Sequence, residues 1–285
     1  MTKISYLNGQ FLEHQNCLVH IEDRGFQFAD GAYEVTLYQN KKLIDGENHL
    51  LRLMQSLQEL NIHHSFNTEK LALMQQQLFA KNNLTRGICY LQITRGSAPT
   101  RVAGCPKNLA PTIVATVSEI ATPPASQFSH GFKVLTNPDI RWLRCDIKTV
   151  NLLASTLVNQ KAKDLGFDDA IFVRDNIVTE ATFANVFMVN QQNQLITHPA
   201  NNHIICGITR NRIIKLAKEQ GFVVAEQAFD YQQLLSAKEV FLTSSSLLIR
   251  PVYQIDNTIF NQNKNFSVAK LLQEKYNIFI DSHFS

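Results

Sequence analysis

The sequence lacks the features that mark secreted, zinc-binding and membrane proteins. Its five cysteines are widely spaced and form no Cys-x-x-Cys pair, which argues against a disulfide framework and a structural zinc site. The N-terminal residues have no apolar core typical of a signal peptide. No apolar run approaches the roughly 20 residues of a membrane helix. We therefore expect a cytoplasmic protein with reduced thiols and no membrane contact.

An excess of charge of one sign is also missing. There are 27 Lys and Arg residues against 24 Asp and Glu, a formal net charge of +3, and no basic run of five or more residues. This balance predicts no nucleic-acid-binding surface. With 45% hydrophobic and 18% charged residues, the composition is that of a folded globular protein, and 285 residues allow one large domain or two smaller ones.

Several common catalytic and nucleotide-binding motifs are absent. There is no Gly-x-Gly-x-x-Gly, no phosphate-loop Gly-Lys-Ser, no His-Glu-x-x-His and no Gly-x-Ser-x-Gly. The sequence therefore gives no sign of a Rossmann dinucleotide site, a P-loop, a zinc protease or a serine hydrolase. No metal site is predicted.

The N-terminal part alternates strand-like and helix-like segments. Hairpins are predicted around Asn8-Gly9 and around Gln39-Asn40. Leucines at three- and four-residue spacing predict a helix over 49–60, and Asn67 can cap a second helix over 69–79. Residues 88–94 and 112–117 are rich in β-branched residues and are predicted strands.

A Pro-Pro pair at 123–124 marks a linker over 121–126 between a smaller domain, 1–120, and a larger one, 127–285. Beyond it, helices are predicted over 151–165, 209–219 and 267–276, strands over 132–135 and 240–243, and hairpins over 170–178 and 185–197. Strands paired through tight turns, with helices between them, indicate a two-domain α+β protein rather than a doubly wound parallel sheet.

Two residues suggest chemistry. Lys148 lies between apolar residues, just before a predicted helix and after the single tryptophan, Trp142. Such surroundings favour the neutral amine that Schiff-base formation requires, although most lysines simply extend to solvent. Glu180 ends an apolar hairpin strand, where it can pair with a protonated ring nitrogen or remain a solvated turn residue.

Two segments suggest phosphate binding. Gly207-Ile208-Thr209-Arg210 opens a helix, whose free N–H groups suit an anion, and an ordinary helix cap explains it as well. Residues 243–246 (TSSS) follow a strand and supply hydroxyls, as any serine-rich turn does. A lysine, a carboxylate and phosphate seats are together the parts needed to hold pyridoxal phosphate.

Five segments in order along the chain resemble D-amino-acid (D-alanine) transaminases, which belong to the class IV, fold type IV pyridoxal-phosphate enzymes. Residues 139–153 (DIRWLRCDIKTVNLL) resemble the lysine segment of that branch. The others resemble the class more widely: 22–34 (EDRGFQFADGAYE), 49–53 (HLLRL), 197–202 (THPANN) and 207–210 (GITR).

The resemblance implies a role for each matching residue. Lys148 would form the Schiff base and move the proton, Glu180 would pair with the pyridinium nitrogen, and Tyr33 would lie at the substrate side. The residues that would hold the phosphate are Arg52, Ile208, Thr209, Ser244 and Ser245. It also implies a homodimer.

Two departures from the family concern the substrate. The family's Pro-Arg-x-His loop, which grips the substrate carboxylate, here reads Pro99-Thr100-Arg101-Val102-Ala103, with the arginine one position later and no histidine. Arg101 can still pair with a carboxylate, and Arg250, where a small polar residue is expected, can compensate. Phe183 replaces a small serine near the cofactor.

The expected function is therefore a transaminase that moves the amino group of D-amino acids, such as D-alanine or D-glutamate, to a 2-oxo acid. Alternatives of the same fold are an (R)-amine transaminase, a branched-chain transaminase or an aminodeoxychorismate lyase. A protein that binds pyridoxal phosphate without catalysis is a further alternative, disfavoured because mere binding requires neither Lys148 nor Glu180.

Overall fold

The computed structural model describes residues 2–121, 126, 130–261, 263 and 265–282. Of the predicted linker, residues 122–125 lie outside the described residues. The chain divides into one unit of Met1–Ala121 with Ile147–Asn151, and a second of Thr122–Asp146 with Leu152–Ser285.

The first unit contains an antiparallel sheet in the order β2-β1-β6-β5-β3-β4. Its strands are β1 (Ile4–Leu7), β2 (Gln10–Glu13), β3 (Gly31–Gln39), β4 (Lys42–Leu43), β5 (Arg86–Thr94) and β6 (Thr112–Ser118). Its helices are α1 (Arg24–Phe28), α2 (Gly46–Glu59) and α3 (Thr68–Lys81), with a 3-10 turn at His14–Asn16. Both predicted hairpins and both predicted helices are confirmed.

The core of the first unit lies between α2, α3 and one face of the sheet. Leu53 and Leu57 of α2 and Leu78 of α3 are buried in it. Phe79 stacks on Tyr38 of β3, with ring centroids 3.9 Å apart. Burying each such side chain contributes about 1.5–3 kcal/mol, so this packing fixes α2 against β3, the two elements that carry Arg52 and Tyr33.

The segment Ile147–Asn151 belongs to the first unit, whereas the sequence placed Lys148 in the C-terminal domain. Thr149 forms a bridge with Ala32, and the N–H of Val150 donates to the carbonyl of Gly31 at 3.1 Å. These backbone contacts attach the segment to the first strand residues of β3. They pair residues more than a hundred positions apart, so the local pattern could not predict them.

The second unit contains a mixed sheet in the order β12-β11-β10-β13-β14-β7-β8-β9, with β15 paired to β14. Its strands are β7 (Phe132–Pro138), β8 (Asp169–Arg174), β9 (Ile177–Ala181), β10 (Asn185–Val189), β11 (Leu195–Thr197), β12 (Val224–Glu226), β13 (Glu239–Ser244), β14 (Leu248–Ile255) and β15 (Thr258–Ile259). Its helices are α4 (Leu153–Asp164), α5 (Ile208–Glu219), α6 (Tyr231–Leu235) and α7 (Ser267–Ser282).

The predicted α+β class is confirmed, because among the described strands of this sheet antiparallel pairs outnumber the parallel ones, β11–β12, β14–β7 and β7–β8. Helices α1 and α6 and strands β12 and β15 were not predicted, and two further details differ from expectation. Helix α4 begins at Leu153 rather than 151, because Val150 and Asn151 belong to the segment beside β3. The N–H of Val150 donates to the carbonyl of Gly31, and the N–H of Asn151 donates to Thr149 Oγ1. Strand β14 was not predicted, because Pro251 interrupts its pattern.

No helix in the described part of the chain combines the length and apolar character needed to cross a bilayer.

Candidate active site

Lys148 makes three contacts within the first unit, one with Ser56 and two with Tyr33. Its backbone N–H donates to Ser56 Oγ of α2 at 3.2 Å, and its carbonyl accepts the N–H of Tyr33 at 3.0 Å. Its side-chain Nζ lies 3.3 Å from the Tyr33 hydroxyl and 4.3 Å from the centre of that ring. The amine is thus placed beside a phenol by a fixed backbone, which restricts its rotamers.

The close approach of β3 to β5 near this lysine depends on Gly31. A Cβ at this position would lie 2.7 Å from the carbonyl oxygen of Ile93 on β5 and 3.0 Å from the Cα of Thr94. The first of these contacts is closer than real Cβ atoms make, and both involve backbone, which cannot swing aside as a flexible side chain can. Gly31 therefore lets β3 pair with β5 while its carbonyl receives Val150.

Arg52 is held by a buried carboxylate that the sequence reasoning did not single out. Glu34 Oε1 accepts from Arg52 Nε at 2.7 Å and Oε2 accepts from Nη2 at 2.8 Å, a bidentate pair. His49 Nδ1 lies 2.7 Å from the same Oε2. Arg52 projects from α2, so Glu34 on β3 fixes the direction of its guanidinium.

The charges of this cluster are set by burial and by Arg52. Burial alone would raise the pKa of Glu34, but the Arg52 charge and hydrogen bonds outweigh it and lower that pKa to about 2. Burial, assisted by the Arg52 and Lys148 charges, lowers the pKa of His49 despite the Glu34 carboxylate. The cluster at neutral pH is therefore a carboxylate, a guanidinium and a neutral imidazole.

Glu180 is buried at the end of β9 in the second unit and is held by an arginine. Arg141 Nη1 donates to Glu180 Oε1 at 2.5 Å, while Arg141 Nε and Nη2 donate to Asp139 at 2.9 and 2.8 Å. Arg141 also lies over the Phe172 ring, 4.3 Å from its centre. Burial would lower the pKa of Arg141, but these two carboxylates raise it, so the cation persists.

The second oxygen of Glu180 faces the chain that leads into α5. Glu180 Oε2 accepts the N–H of Ile205 at 3.0 Å and lies 3.4 Å from Asn185 Nδ2. Asn185 also donates to the carbonyl of Ile205. A Cβ at Gly207 would lie 2.0 Å from Asn185 Oδ1, so any larger residue there would displace this buried amide. Asn185 thus couples the carboxylate to the start of the helix.

Helix α5 begins with Ile208 and Thr209, after an N-cap glycine that provides no side-chain hydrogen bond. The first N–H groups of an α-helix have no partner within it, and the helix dipole makes this end attractive to anions. Thr209 is itself buried there. Because no capping side chain accepts from the first backbone N–H groups of α5, a phosphate at this end could accept hydrogen bonds from them.

Ser244 and Ser245 lie at the same end of the strands of this sheet as Asn185. Asn185, the first residue of β10, pairs with Thr243 of β13, so Ser244 follows directly at this end of the sheet. The turn that Ser244 opens leads to Leu248, a buried leucine with φ of +58°. Left-handed backbone costs a non-glycine residue about 1 kcal/mol or more, and such positions cluster at functional sites.

Arg101 lies in the loop after β5, with its guanidinium carbon 4.6 Å from the centre of the Phe28 ring. Arg24 lies equally close to Phe28, and its Nη1 donates to the carbonyl of Val102 at 2.6 Å. Asp30 in turn binds Arg24 at 2.7 Å. The loop that carries Arg101 is therefore anchored to α1.

The predicted site residues thus form two groups, one in each unit. Tyr33, Arg52 and Lys148 lie around β3 and α2, and Arg101 lies in a loop of the same unit. The members of the second group belong to the second unit, at or near one end of the strands of the mixed sheet: Glu180, Ile208, Thr209, Ser244 and Ser245. Phe183, in the turn after β9, is 45% exposed.

Sequence reasoning missed the residues that hold these groups in place, namely Glu34, Arg141, Asp139 and Asn185. Glu34, Asp139 and Arg141 lie inside the segments that carry the family resemblance, which was the available signal. Their pairing with Arg52 and Glu180 joins residues 18 and 39 positions apart, and no local spacing reveals it.

The donor set fits pyridoxal phosphate. Glu180 is buried and aligned by an arginine, the start of α5 has no side-chain cap, and Gly207 lets Asn185, which also contacts Glu180, pack against that start. The first unit separately supplies a lysine amine held beside Tyr33. A carboxylate, an uncapped helix start and such an amine are the parts that an enzyme transferring amino groups on this cofactor requires.

Comparison with known proteins agrees. Residues 31–255 match the model of the amino-transferase class IV family, and the chain belongs to this family. It is 41% identical over 266 residues to the D-alanine aminotransferase of Bacillus licheniformis, covering 93% of each chain.

Solved structures share the fold. The branched-chain amino acid aminotransferase of Escherichia coli superposes with a TM-score of 0.88 at 23% identity, over 97% of this chain and 94% of that one. A hypothetical aminotransferase from Mycobacterium tuberculosis, in a PLP-bound form, superposes with a TM-score of 0.81 at 22% identity, over 95% and 97%. At these identities the likeness establishes the fold alone.

Proposed function

We propose that this chain is a transaminase that uses pyridoxal phosphate to move the amino group of D-amino acids to a 2-oxo acid. The observation that carries the proposal is the fixed amine of Lys148, 3.3 Å from the Tyr33 hydroxyl, in a segment attached to β3. The 41% identity to a D-alanine aminotransferase supports the substrate class.

When bound, pyridoxal phosphate supplies an aldehyde for the amino group and a ring that accepts electrons as the Cα proton leaves. The role we assign to Lys148 Nζ is to bind that aldehyde, to accept the proton from the substrate Cα, and to deliver one to Cα of the new amino acid in the return half of the reaction. The Tyr33 hydroxyl positions this amine.

Glu180 has the role of accepting a hydrogen bond from the protonated ring nitrogen. Its suitability rests on Arg141, which holds one carboxylate oxygen, and on Ile205, whose N–H holds the other. A carboxylate aligned by two donors keeps its charge and direction without reorganisation during the reaction.

We assign the phosphate to the start of α5, to Ser244 and Ser245, and to Arg52. The helix start offers N–H groups of Ile208 and Thr209, and the serines offer hydroxyls at the same sheet edge. Arg52 has its guanidinium direction set by Glu34. Charge-assisted hydrogen bonds to a phosphate are about twice as strong as neutral ones.

For the substrate carboxylate we assign Arg101, whose loop is anchored to α1 through Arg24. This grip distinguishes amino acids from simple amines. We also propose that the enzyme acts as a homodimer in the cytoplasm; light scattering of the purified protein would give twice the 32.3 kDa of one chain.

The test is a substrate panel read at the absorbance band of the bound cofactor. Purified protein incubated with pyridoxal phosphate is expected to be yellow, and D-alanine or D-glutamate, but not the L-forms, is expected to bleach the band. Lys148→Ala should lose turnover entirely, while Lys161→Ala, which changes a lysine of α4, should not.

The same panel separates the alternatives. A protein that stays colourless would overturn the enzyme assignment. An equal response to L-leucine would indicate a branched-chain transaminase, a response to (R)-amines alone an amine transaminase, and pyruvate release from aminodeoxychorismate a lyase. A yellow protein that responds to none of these compounds would indicate a protein that binds the cofactor without catalysis.

A further inference from the structure

Arg250 is partly buried and differs from the well-paired arginines of the described chain, because no described residue accepts a hydrogen bond from it. Its Nη1 is buried without a partner. Several other buried or largely buried arginines each have a carboxylate within 3.0 Å: Arg24 and Arg95 bind Asp30, Arg52 binds Glu34, Arg141 and Arg174 bind Asp139, and Arg210 binds Glu226.

The surroundings of Arg250 are apolar. It lies on β14 directly opposite Leu242 of β13, and Leu242 and the nearby Val252 belong to the apolar core of this unit. Its guanidinium carbon lies 6.0 Å from the centre of the Phe132 ring. Burial lowers the pKa of Arg250, and no carboxylate among the described residues opposes this effect. An uncompensated guanidinium in such a place is destabilising unless an anion pairs with it.

The strand register places Arg250 near the proposed cofactor seats. Ser244 pairs with Leu248, and Leu242 pairs with Arg250, so Ser244 and Arg250 lie on the same face, two residues apart along the strands. Two residues of a strand span about 7 Å. The backbone of Arg250 is therefore within a small molecule's length of that of Ser244, and Arg250 is not itself one of the phosphate seats.

We propose that Arg250 binds a carboxylate of the amino-acid or oxo-acid substrate. The proposal rests on the proposed function and adds a specificity-determining residue to it. The planar fork of a guanidinium matches a carboxylate through two parallel hydrogen bonds, which a neutral residue here would not provide. Every amino acid brings an α-carboxylate, and D-glutamate and 2-oxoglutarate bring a second one at the side chain.

The experiment compares the wild-type holoenzyme with Arg250→Met, which keeps an unbranched apolar stem but removes the charged guanidinium, and with Arg250→Lys. Arg86→Met is the matched control, since Arg86 is another arginine whose pKa burial lowers, and it bonds to the neutral Gln39. D-glutamate, D-alanine and an (R)-amine without a carboxylate are compared by kcat/KM.

Arg250→Met is expected to lower kcat/KM for D-glutamate by about 10- to 100-fold, the strength of a charged hydrogen bond, and to leave the amine unchanged. A loss for D-glutamate alone assigns Arg250 to the side-chain carboxylate, and an equal loss for D-alanine assigns it to the α-carboxylate. Arg250→Lys should retain part of the rate. Unchanged amino-acid rates, or an equal loss for the amine, would overturn the proposal.

Binding gives a readout that does not depend on turnover. Glutarate, a dicarboxylate that cannot react, should raise the melting temperature of the wild-type holoenzyme and of Arg86→Met, but not that of Arg250→Met. Without ligand, Arg250→Met should melt no lower than wild type, because it removes a guanidinium whose buried Nη1 has no partner among the described residues. A lower melting temperature, or a weakened affinity for pyridoxal phosphate, would instead indicate a structural or phosphate-binding arginine and would refute the proposal.

These readouts also separate this inference from the proposed function. If no amino donor reacts with the wild-type protein, the transaminase assignment fails. If glutarate stabilises the wild type but not Arg250→Met, a carboxylate site at Arg250 is still supported. If glutarate does not stabilise the wild type, the carboxylate site is refuted, whatever the outcome for the transaminase assignment.

Discussion

The Glu34–Arg52 pair is expected to make the first unit sensitive to acid, and Glu34→Gln tests this. Glu34 is fully buried and accepts from both Nε and Nη2 of Arg52. Its pKa is lowered from 4.5 to about 2, because the Arg52 charge and hydrogen bonds outweigh the opposing effect of burial. Since the folded state holds the proton more weakly than the unfolded state, the pair stabilises the fold above the unfolded pKa.

The magnitude follows from the size of this change in pKa. A fall from 4.5 to about 2 corresponds to about 3 kcal/mol of unfolding free energy at neutral pH. The contribution declines as the pH falls from about 5 towards 2, and more than half is lost by about pH 3. Removing one partner of a buried pair costs about 3–5 kcal/mol in other proteins, which agrees with this figure.

Calorimetry of Glu34→Gln and wild type across this pH range measures the effect. At neutral pH the variant should melt roughly 6–12 °C lower, and the gap should narrow steadily below about pH 5. Calorimetry also resolves the two units if they unfold separately. Glu119→Gln, which changes an exposed carboxylate of the same unit, should follow the wild type throughout.

Parallel melting profiles for Glu34→Gln and wild type would refute the reasoning. They would mean that Glu34 has the same proton affinity in the folded and unfolded states, so that the ion pair with Arg52 contributes no pH-dependent stability. A gap that widens in acid would contradict the sign of the argument. Other carboxylates cannot mimic the expected result, because they are present in both proteins.

Two further outcomes are expected at the second unit. Arg141→Met leaves Glu180 buried without its cation, so the variant should lose about 3–5 kcal/mol of stability, measured by calorimetry. Its kcat, measured by steady-state kinetics, should fall at least tenfold. An unchanged kcat would show that Glu180 does not need Arg141 to act. Gly207→Ala pushes a Cβ against Asn185 Oδ1 and should weaken pyridoxal phosphate binding at least tenfold in a spectroscopic titration, whereas Gly104→Ala, where a Cβ meets nothing, should not; equal affinities would contradict the assigned role of the helix start.

Local sequence patterns predicted the regular elements well. The hairpin at Asn8-Gly9 has both residues at positive φ, as the turn chemistry requires, and Asn67 caps α3 through its side chain as expected. Strand β14 was missed because Pro251 breaks the pattern, yet the neighbouring strands hold it in the sheet. Here tertiary pairing overrides a local signal.

The sequence suggested the residues that could do chemistry but not the residues that support them. Lys148 and Glu180 stood out because few residue types can form a Schiff base or pair with a ring nitrogen, and the family resemblance, rather than these patterns alone, implied the roles that we propose for them. Arg141 and Glu34 act through ion pairs between distant segments, and such pairs depend on how strands and loops come together. The grouping of Lys148 with β3 was unpredictable for the same reason.

The shared fold does not determine the substrate, because this chain superposes on a branched-chain aminotransferase with a TM-score of 0.88 at only 23% identity. Discrimination must therefore come from side chains that can differ while the backbone stays the same. A site that pairs a buried charge with a substrate carboxylate rejects compounds lacking that group strongly, since the charge is then left unpaired. Arg250 on β14, whose Nη1 is buried without a partner in the described chain, meets this condition in part, whereas Arg101 lies exposed over Phe28 and loses little stability when its ligand is absent. If both bind carboxylates, Arg250 should therefore dominate discrimination and Arg101 should mainly assist capture.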